Sequence, residues 1–294
     1  MHRSIAPLLA ASSLFATAAS AVAPPEAPVI PSAAELKAQN AKFAPVELKV
    51  DLAKLPANEK AALNEIIEAA RIMDGIFLRQ TWSGSPAMLS DLARDDSPLG
   101  RARLDAFLIN QGPWLRIDHD KAFMPGVGAK PEQGNFYPRV TKDVIETWHK
   151  SLSAEQKERA TGFFTTIRRE GDKFLIVPYS TEYQGELADA AMHLTAAAAL
   201  TTQPTLKKFL ETRAAAFLSN DYYASDVAWM ELDASIEPTI GPYEVYEDNW
   251  FNAKAAFESF IGLRDDAESQ KLAKLADELQ GLENALPLDA ALKN

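Results

Sequence analysis

Apolar residues along this chain recur mostly at three- and four-residue spacing, the period of helices buried on one face. Leu63, Ile66, Ile67, Ala70, Met73 and Phe77 form one stripe and predict a helix from Glu59 to Gln80, with Asn58 as its N-cap. Leu104, Phe107 and Leu108, facing inward, predict a second over 99–110, ended by Gly112-Pro113-Trp114. Thr141 starts a helix reaching about Lys150, and Ser153 with Gln156 three residues on has the form of a capping box for the next. From Glu182 onward, Tyr183, Leu187, Ala190, Leu194 and Ala197 make an alanine-rich stripe suited to close helix packing. Leu206, Phe209, Leu210, Ala216 and Phe217 mark another helix, opened by Thr205 and closed at Asn220-Asp221-Tyr222-Tyr223. A final helix, about Asp265 to Leu286, is expected to bury Leu272, Leu275, Leu279 and Leu282. Asp265, Asp266 and Glu268 stand at its start, where the helix dipole favours negative charge.

The period breaks in two places. Phe163 to Arg169 and Lys173 to Tyr179 are β-favouring runs separated by Glu170-Gly171-Asp172, a hairpin signal. Ile236 to Asp248 carries the carboxylates Glu237, Glu244, Glu247 and Asp248 and the tyrosines Tyr243 and Tyr246 among Pro238, Gly241 and Pro242. Proline removes a donor and glycine opens positive φ, so this run is not plain helix. It predicts an extended, carboxylate-bearing segment that can hold polar groups at a cleft. A helix is expected to follow, since Ala253, Ala256, Phe257, Phe260 and Ile261 return to helical spacing. Met124 to Pro138, rich in Gly and Pro, reads as an irregular loop. The class is mainly α with a small β-hairpin, and no fixed-period repeat points to a solenoid.

With 294 residues, 47% of them hydrophobic, the chain can bury a sizeable core. A net charge of −11 argues against nucleic acid, which calls for a basic stripe. The absence of cysteine excludes disulfides, thiolate metal sites and a cysteine nucleophile. Residues 1–23 read as a secretory signal: Arg3 leads an apolar run, and Ala19-Ser20-Ala21 and Ala21-Val22-Ala23 both fit a signal-peptidase site. Residues 24–31 hold four prolines and read as a linker, leaving 32–294 as the mature domain. The expectation is an exported chain, periplasmic or secreted, with no membrane attachment after cleavage.

Metal chemistry needs converging ligands. None of His2, His119, His149 and His193 is followed by Glu, and no two stand at i, i+4, so this chain is expected to hold no zinc of its own. Asp118-His119-Asp120 reads as a loop, because adjacent residues do not converge readily on one ion. His193 flanks the alanine-rich stripe and reads as a partly buried structural histidine. Gly126-Val127-Gly128 lacks the rest of a nucleotide fingerprint, and Trp82-Ser83-Gly84-Ser85-Pro86 breaks the nucleophile-elbow pattern.

The run Ile236-Glu237-x-x-Ile240-Gly241, Glu244-x-Tyr246-x-Asp248, Lys254-Ala255-Ala256-Phe257-Glu258-x-Phe260 and Leu282-Glu283-x-x-Leu286-Pro287 resembles the dipeptidyl peptidase III family, the M49 zinc metallopeptidases, in their secreted bacterial branch. Gly112-Pro113-Trp114, Asn135-Phe136-Tyr137-Pro138 and Tyr222 to Trp229 carry the resemblance upstream. It implies a peptide substrate. It also implies a zinc held, in a full-length member, by a His-Glu-x-x-Gly-His helix and a later glutamate that this chain does not contain; a C-terminal zinc-binding part would then be its partner. In the family's Glu-x-Tyr segment the glutamate binds the free amino group of the peptide and the tyrosine helps stabilise the transition state. Glu237 falls on that glutamate. Thr239 replaces the tyrosine, which leaves Tyr243 or Tyr246 to substitute, with Glu244 beside them.

Three readings follow. The first is the N-terminal, substrate-side part of an exported zinc dipeptidyl peptidase. The second is a metal-free periplasmic peptide-binding or interaction protein on the same fold. The third is a hydrolase using the acidic 237–248 segment directly, with Glu237 and Glu244 as a carboxylate pair.

Overall fold

A computed structural model describes residues 30–293. Residues 1–23, expected as a secretory signal, and residues 24–29 of the expected linker lie outside the described residues. In chain order the elements are helices α1 (Ala33–Asn40), α2 (Ala57–Thr81), α3 (Ser85–Leu92) and α4 (Pro98–Asn110), then a short hairpin, β1 (Trp114–Leu115) with β2 (Lys121–Ala122). Next come α5 (Lys142–Ser151), α6 (Ala154–Ala160) and a second hairpin, β3 (Thr165–Glu170) with β4 (Lys173–Pro178). Four helices follow: α7 (Tyr179–Glu182), α8 (Gln184–Leu200), α9 (Pro204–Ser219) and α10 (Tyr223–Met230). A third hairpin, β5 (Ile236–Glu244) with β6 (Ala256–Leu263), leads into α11 (Asp266–Ala285). Each sheet is a two-stranded antiparallel ribbon, so the class is mainly α with small hairpins.

The three long central helices pack in sequence, α2 on α8 and α8 on α9, and the β5/β6 ribbon lies across α2. The stripes explain the layering. Leu187, Ala190, Leu194 and Ala197 of α8 are fully buried between its neighbours, and alanine lets the backbones approach. Ile66 and Met73 of α2, Phe209 and Phe217 of α9 and Phe257 of β6 complete this core. The C-terminal end of α2 enters a second cluster, where Leu78 meets Leu36, Leu92, Phe107 and Phe123. Two caps form as the local sequence dictates: Ser153 and Gln156 form both halves of a capping box, and Asp265 caps α11 through Ala267 and Glu268.

Several expectations need correction. The N-cap of α2 is Pro56, and Asn58 sits inside the helix, where its amide donates to the Leu200 carbonyl at 3.2 Å. Pro56 cannot continue a helix N-terminally, so it ends the element two residues before the nearest polar cap candidate. In α4 the buried face runs through Ala102, Ala106, Phe107 and Asn110, which turns Leu108 out to solvent. Gln203, not Thr205, precedes α9; the Thr205 hydroxyl instead bridges the backbone of Asp233. The expected helix over 253–261 is the strand β6. Phe257, Ser259, Ile261 and Leu263 also fit a period of two, and pairing with β5 decides between the patterns. Finally, Leu272, Leu275, Leu279 and Leu282 of α11 are all at least 50% exposed. The helix is amphipathic as predicted, but nothing among the described residues covers its apolar face.

Candidate functional site

The β5/β6 ribbon places the stretch singled out in the sequence. Its register pairs Glu237 with Gly262, Thr239 with Phe260 and Gly241 with Glu258. Side chains alternate faces along a strand and opposed residues share one. Ile236, Pro238, Ile240 and Pro242 therefore form one face of β5 and are buried. Glu237, Thr239 and Tyr243 fall on the other, with Glu258 and Phe260 from β6. Prolines at 238 and 242 are compatible with a ribbon in which both strands are edges. A register irregularity between Pro242 and Glu244 ends the ladder.

Glu237 is exposed and has no hydrogen-bond or ion-pair partner among the described residues. Thr239, half-buried, is its neighbour on the same face. Glu244 is exposed at the far end of β5, and Tyr246, 74% exposed, lies beyond it in the connecting loop. Tyr243 is committed internally: its hydroxyl donates to the Ile240 carbonyl at 3.4 Å and its ring stacks 5.4 Å from the Arg213 guanidinium. Burial raises its pKa, against the opposing pull of Arg213. Thr239 and Tyr243 are four positions apart along the strand, roughly 13 Å, so neither tyrosine stands beside Thr239. Glu237 and Glu244 are seven positions apart, on the order of 20 Å. The carboxyl pairs of glycosidases stand within about 10 Å, so these two do not form one.

The other two acids of the stretch are structural. Asp248, fully buried, accepts from the Tyr137 hydroxyl at 3.0 Å and from the backbone N–H groups of Trp250, Phe251 and Ala253. It thereby folds the β5–β6 connection back on itself. Glu247 is buried against Arg116 at 2.7 Å and Lys130 at 3.3 Å. An acidic run that reads as one solvated unit is thus divided between two buried anchors and two exposed carboxylates.

Sequence reasoning passed over four groups here. Glu258 is half-buried on the face of Glu237, and its pKa is raised by burial and then by Glu244. Reading 257–263 as a strand would have placed it there. Lys254, with no exposed surface, donates to the carbonyls of Ala160 and Gly162 and to the Thr165 hydroxyl at 2.6, 3.0 and 2.8 Å. Burial pushes its ammonium pKa down to about 7, although Asp248 opposes the shift. Arg213, also fully buried, donates to Asp226 at 2.7 Å and is caged by the rings of Phe209, Tyr222 and Tyr243. Arg116, which anchors Glu247, gave no signal in the sequence.

The residues present do not fit a zinc ion. No group of three or more His, Asp or Glu among the described residues could hold a metal. His193 Nδ1 lies 2.7 Å from Glu65, in a structural pair between α8 and α2. His119 is isolated in a left-handed turn after Asp118. No helix of the described residues is long and apolar enough to cross a membrane.

The fold is similar to that of solved dipeptidyl-peptidase III structures. The enzyme from Corallococcus sp. strain EGB superposes with a TM-score of 0.84 at 64% identity, over 90% of this chain and 50% of that one. The enzyme from Caldithrix abyssi gives 0.82 at 45% identity, over 88% and 49%. Among curated proteins, Nudix hydrolase 3 of Arabidopsis thaliana is 37% identical over 88% of this chain and 40% of its own length. The family model for peptidase family M49 matches residues 134–293. The chain belongs to peptidase family M49. It spans about half the length of the solved relatives it matches.

Proposed function

We propose that this chain is the substrate-side, N-terminal part of an exported, zinc-dependent dipeptidyl-peptidase III-like hydrolase, and that Glu237 binds the α-ammonium of the peptide. The carrying observation is the state of that carboxylate. Glu247 is buried against Arg116 and Lys130 and Asp248 accepts from Tyr137, whereas Glu237 is exposed with no internal partner for its side chain among the described residues. An unpaired carboxylate held on a rigid strand is suited to a charge-assisted bond with an ammonium. Thr239 and Phe260 flank it and would contact the first residues of the peptide. Glu244 and Tyr246, at the ribbon's far end, would meet a more distant part of the substrate; Tyr243 supports the strand through Arg213.

In this reading the zinc and its ligands come from a separate C-terminal part. Leu272, Leu275, Leu279 and Leu282 recur at alternating three- and four-residue spacing along α11, the seam of a helix that packs on a partner, and Leu286 follows at its C-cap. That uncovered stripe supports a docking role for α11. Export rests on the Arg3-led apolar run and its Ala-x-Ala sites. The alternative, a metal-free peptide-binding protein, is favoured by the dispersed histidines and predicts that no added zinc-bearing half produces dipeptide release.

Calorimetry with a short peptide tests the assignment of Glu237. Glu237→Gln keeps shape and removes charge. A hydrogen bond to a charged group is worth about 1.5–3 kcal/mol, roughly ten- to hundredfold in affinity. Acetylating the peptide's amino group costs a similar factor in the wild type and almost nothing in Glu237→Gln. Equal affinities for all four combinations would remove Glu237 from the site.

A further inference from the structure

The segment between α1 and α2 contains a surface that neither the core nor the ribbon face uses. Val46, Leu48, Val50 and Leu52 alternate with Glu47, Lys49 and Asp51, the period of a strand with one apolar and one polar face. In this structure residues 44–50 form no turn, helix or paired strand. Their backbone makes no hydrogen bond to another described residue. Val46 is 74% exposed and Leu48 89% exposed. An unpaired run of this kind offers a row of donors and acceptors that templates strand addition.

We propose that Val46–Val50 pairs antiparallel with the same segment of a second copy of this chain. The segment is self-complementary about Leu48. Centring a two-fold axis on that residue sets Leu48 against Leu48, Val46 against Val50, and Glu47 against Lys49 in both directions. Every apolar side chain meets an apolar one and every charge its opposite, the arrangement favoured for directly opposed cross-strand pairs. Shifting the register by two residues sets Glu47 against Asp51 or against its own copy, so like charges specify the register. The ends also fit. Pro45 has no N–H to extend the ladder on one side, and on the other Asp51 turns the chain into a short 3-10 helix over Leu52–Lys54 by accepting from the Ala53 N–H. A C2 interface is self-complementary by necessity, and this sequence provides that property in five residues.

The contact is small, so association is expected to be weak, on the order of 0.1–1 mM, in the range of transient interfaces. Sedimentation equilibrium of the full chain up to about 1 mM measures it. The wild type should show monomer and dimer. Glu47→Lys and Lys49→Glu each set like charges against one another twice, and each should weaken association by roughly tenfold or more. The double variant, with both charges exchanged, restores the opposition and should restore the dimer. This design separates pairing from bulk repulsion: Glu47→Lys makes a chain of net charge −11 less negative and Lys49→Glu makes it more negative, so a net-charge effect would move the two singles in opposite directions. Both residues are exposed and bonded only to each other, at 3.1 Å, so the variants should fold normally, as circular dichroism would verify. A monomer throughout the range, singles that leave association unchanged, or a double variant that fails to recover would each overturn the proposal. So would a dimer abolished by Leu279→Lys and indifferent to Glu47→Lys, which would assign self-association to α11.

Discussion

Gly241 and Arg213 share a space that admits no further atom. Gly241 lies at φ 147°, and a Cβ placed there would stand 2.7 Å from Arg213 Nη1. The guanidinium cannot retreat, because three aromatic rings and Asp226 hold it. This contact fixes how closely β5 approaches α9, and hence where the face of Glu237 sits. Gly241→Ala is expected to destabilise the fold by about 2–4 kcal/mol, combining the disfavoured backbone with the overlap. Urea unfolding with an unchanged m-value measures this. Repeating the substitution in an Arg213→Ala background separates the two terms: the overlap vanishes and the backbone term remains. A cost that stays the same there would show that Arg213 is not the obstacle.

A second prediction concerns Glu59, buried at the start of α2. Its carboxylate accepts from the Thr201 hydroxyl at 2.7 Å and from the Thr202 N–H at 2.9 Å. Burial alone would raise its pKa. The bonds from Thr202, Thr201 and Gln203 outweigh that and hold it below the usual 4.5. A folded pKa below the unfolded one contributes stability above the unfolded value, and that contribution is lost as pH falls through the folded one. Glu59→Gln should cost about 1–3 kcal/mol at neutral pH and remove part of the acid destabilisation below pH 4.5. Unfolding midpoints at pH 7 and pH 4 provide the comparison. An equal loss at both would mean that the charge is not what the threonines recognise.

Glu59 also shows what a sequence conceals. Helix α2 was legible because Leu63, Ile66 and Met73 repeat at helical spacing, and the same holds for α8 and α9. Local chemistry was legible in part: the Ser153–Gln156 box forms, whereas the caps expected at Asn58 and Thr205 do not. Glu59 and Thr201 are 142 residues apart, and no local pattern pairs them. The candidate site divides likewise. Pro238 and Gly241 announce an extended run, but the strand that pairs with it resembles a helix by spacing. Only that pairing brings Glu258 and Phe260 to the face of Glu237. Two of the four carboxylates turned inward because Arg116, Lys130 and Tyr137 wait there, and all three lie more than a hundred residues upstream.

The exposed leucines of α11 yield a contrast between two apolar substitutions. Leu275 is half exposed, whereas Phe257 is fully buried among Tyr179, Tyr183 and Phe217. Leu275→Ser should change the stability of this chain by no more than about 0.5 kcal/mol. Phe257→Ala should cost about 3–5 kcal/mol through lost burial and a residual cavity. Denaturant midpoints of the two variants decide the matter. A large loss in Leu275→Ser would mean that the stripe is covered in the free chain.

The last prediction follows from Lys254, a buried ammonium whose pKa of about 7 lies well under the ordinary 10.5. Between these values the unfolded chain binds a proton that the folded chain does not, so stability must rise with pH across that window. Each pKa unit is worth about 1.4 kcal/mol, which makes the rise several kcal/mol. The buried tyrosines Tyr137, Tyr179, Tyr183 and Tyr222 set the upper limit. Burial holds each of them above 10.0, so beyond about pH 10 the unfolded chain loses protons first and stability falls. Thermal stability should therefore climb from pH 7, peak near pH 10 and decline. Self-repulsion of a chain at −11 works against the climb, because it grows as surface lysines lose charge, so a rise has a specific source. Lys254→Met removes the titrating group and should abolish the rise while keeping the alkaline fall. Because this variant leaves the carbonyls of Ala160 and Gly162 without their donor, its absolute stability is expected to drop. The slope against pH, not the height, is the measurement that counts. Nitrogen-15 NMR of the Lys254 ammonium in the wild type provides an independent reading. A transition close to 10.5, or a Lys254→Met variant that still gains stability from pH 7 to pH 10, would show that the three oxygen acceptors keep the ammonium charged against the cost of burial.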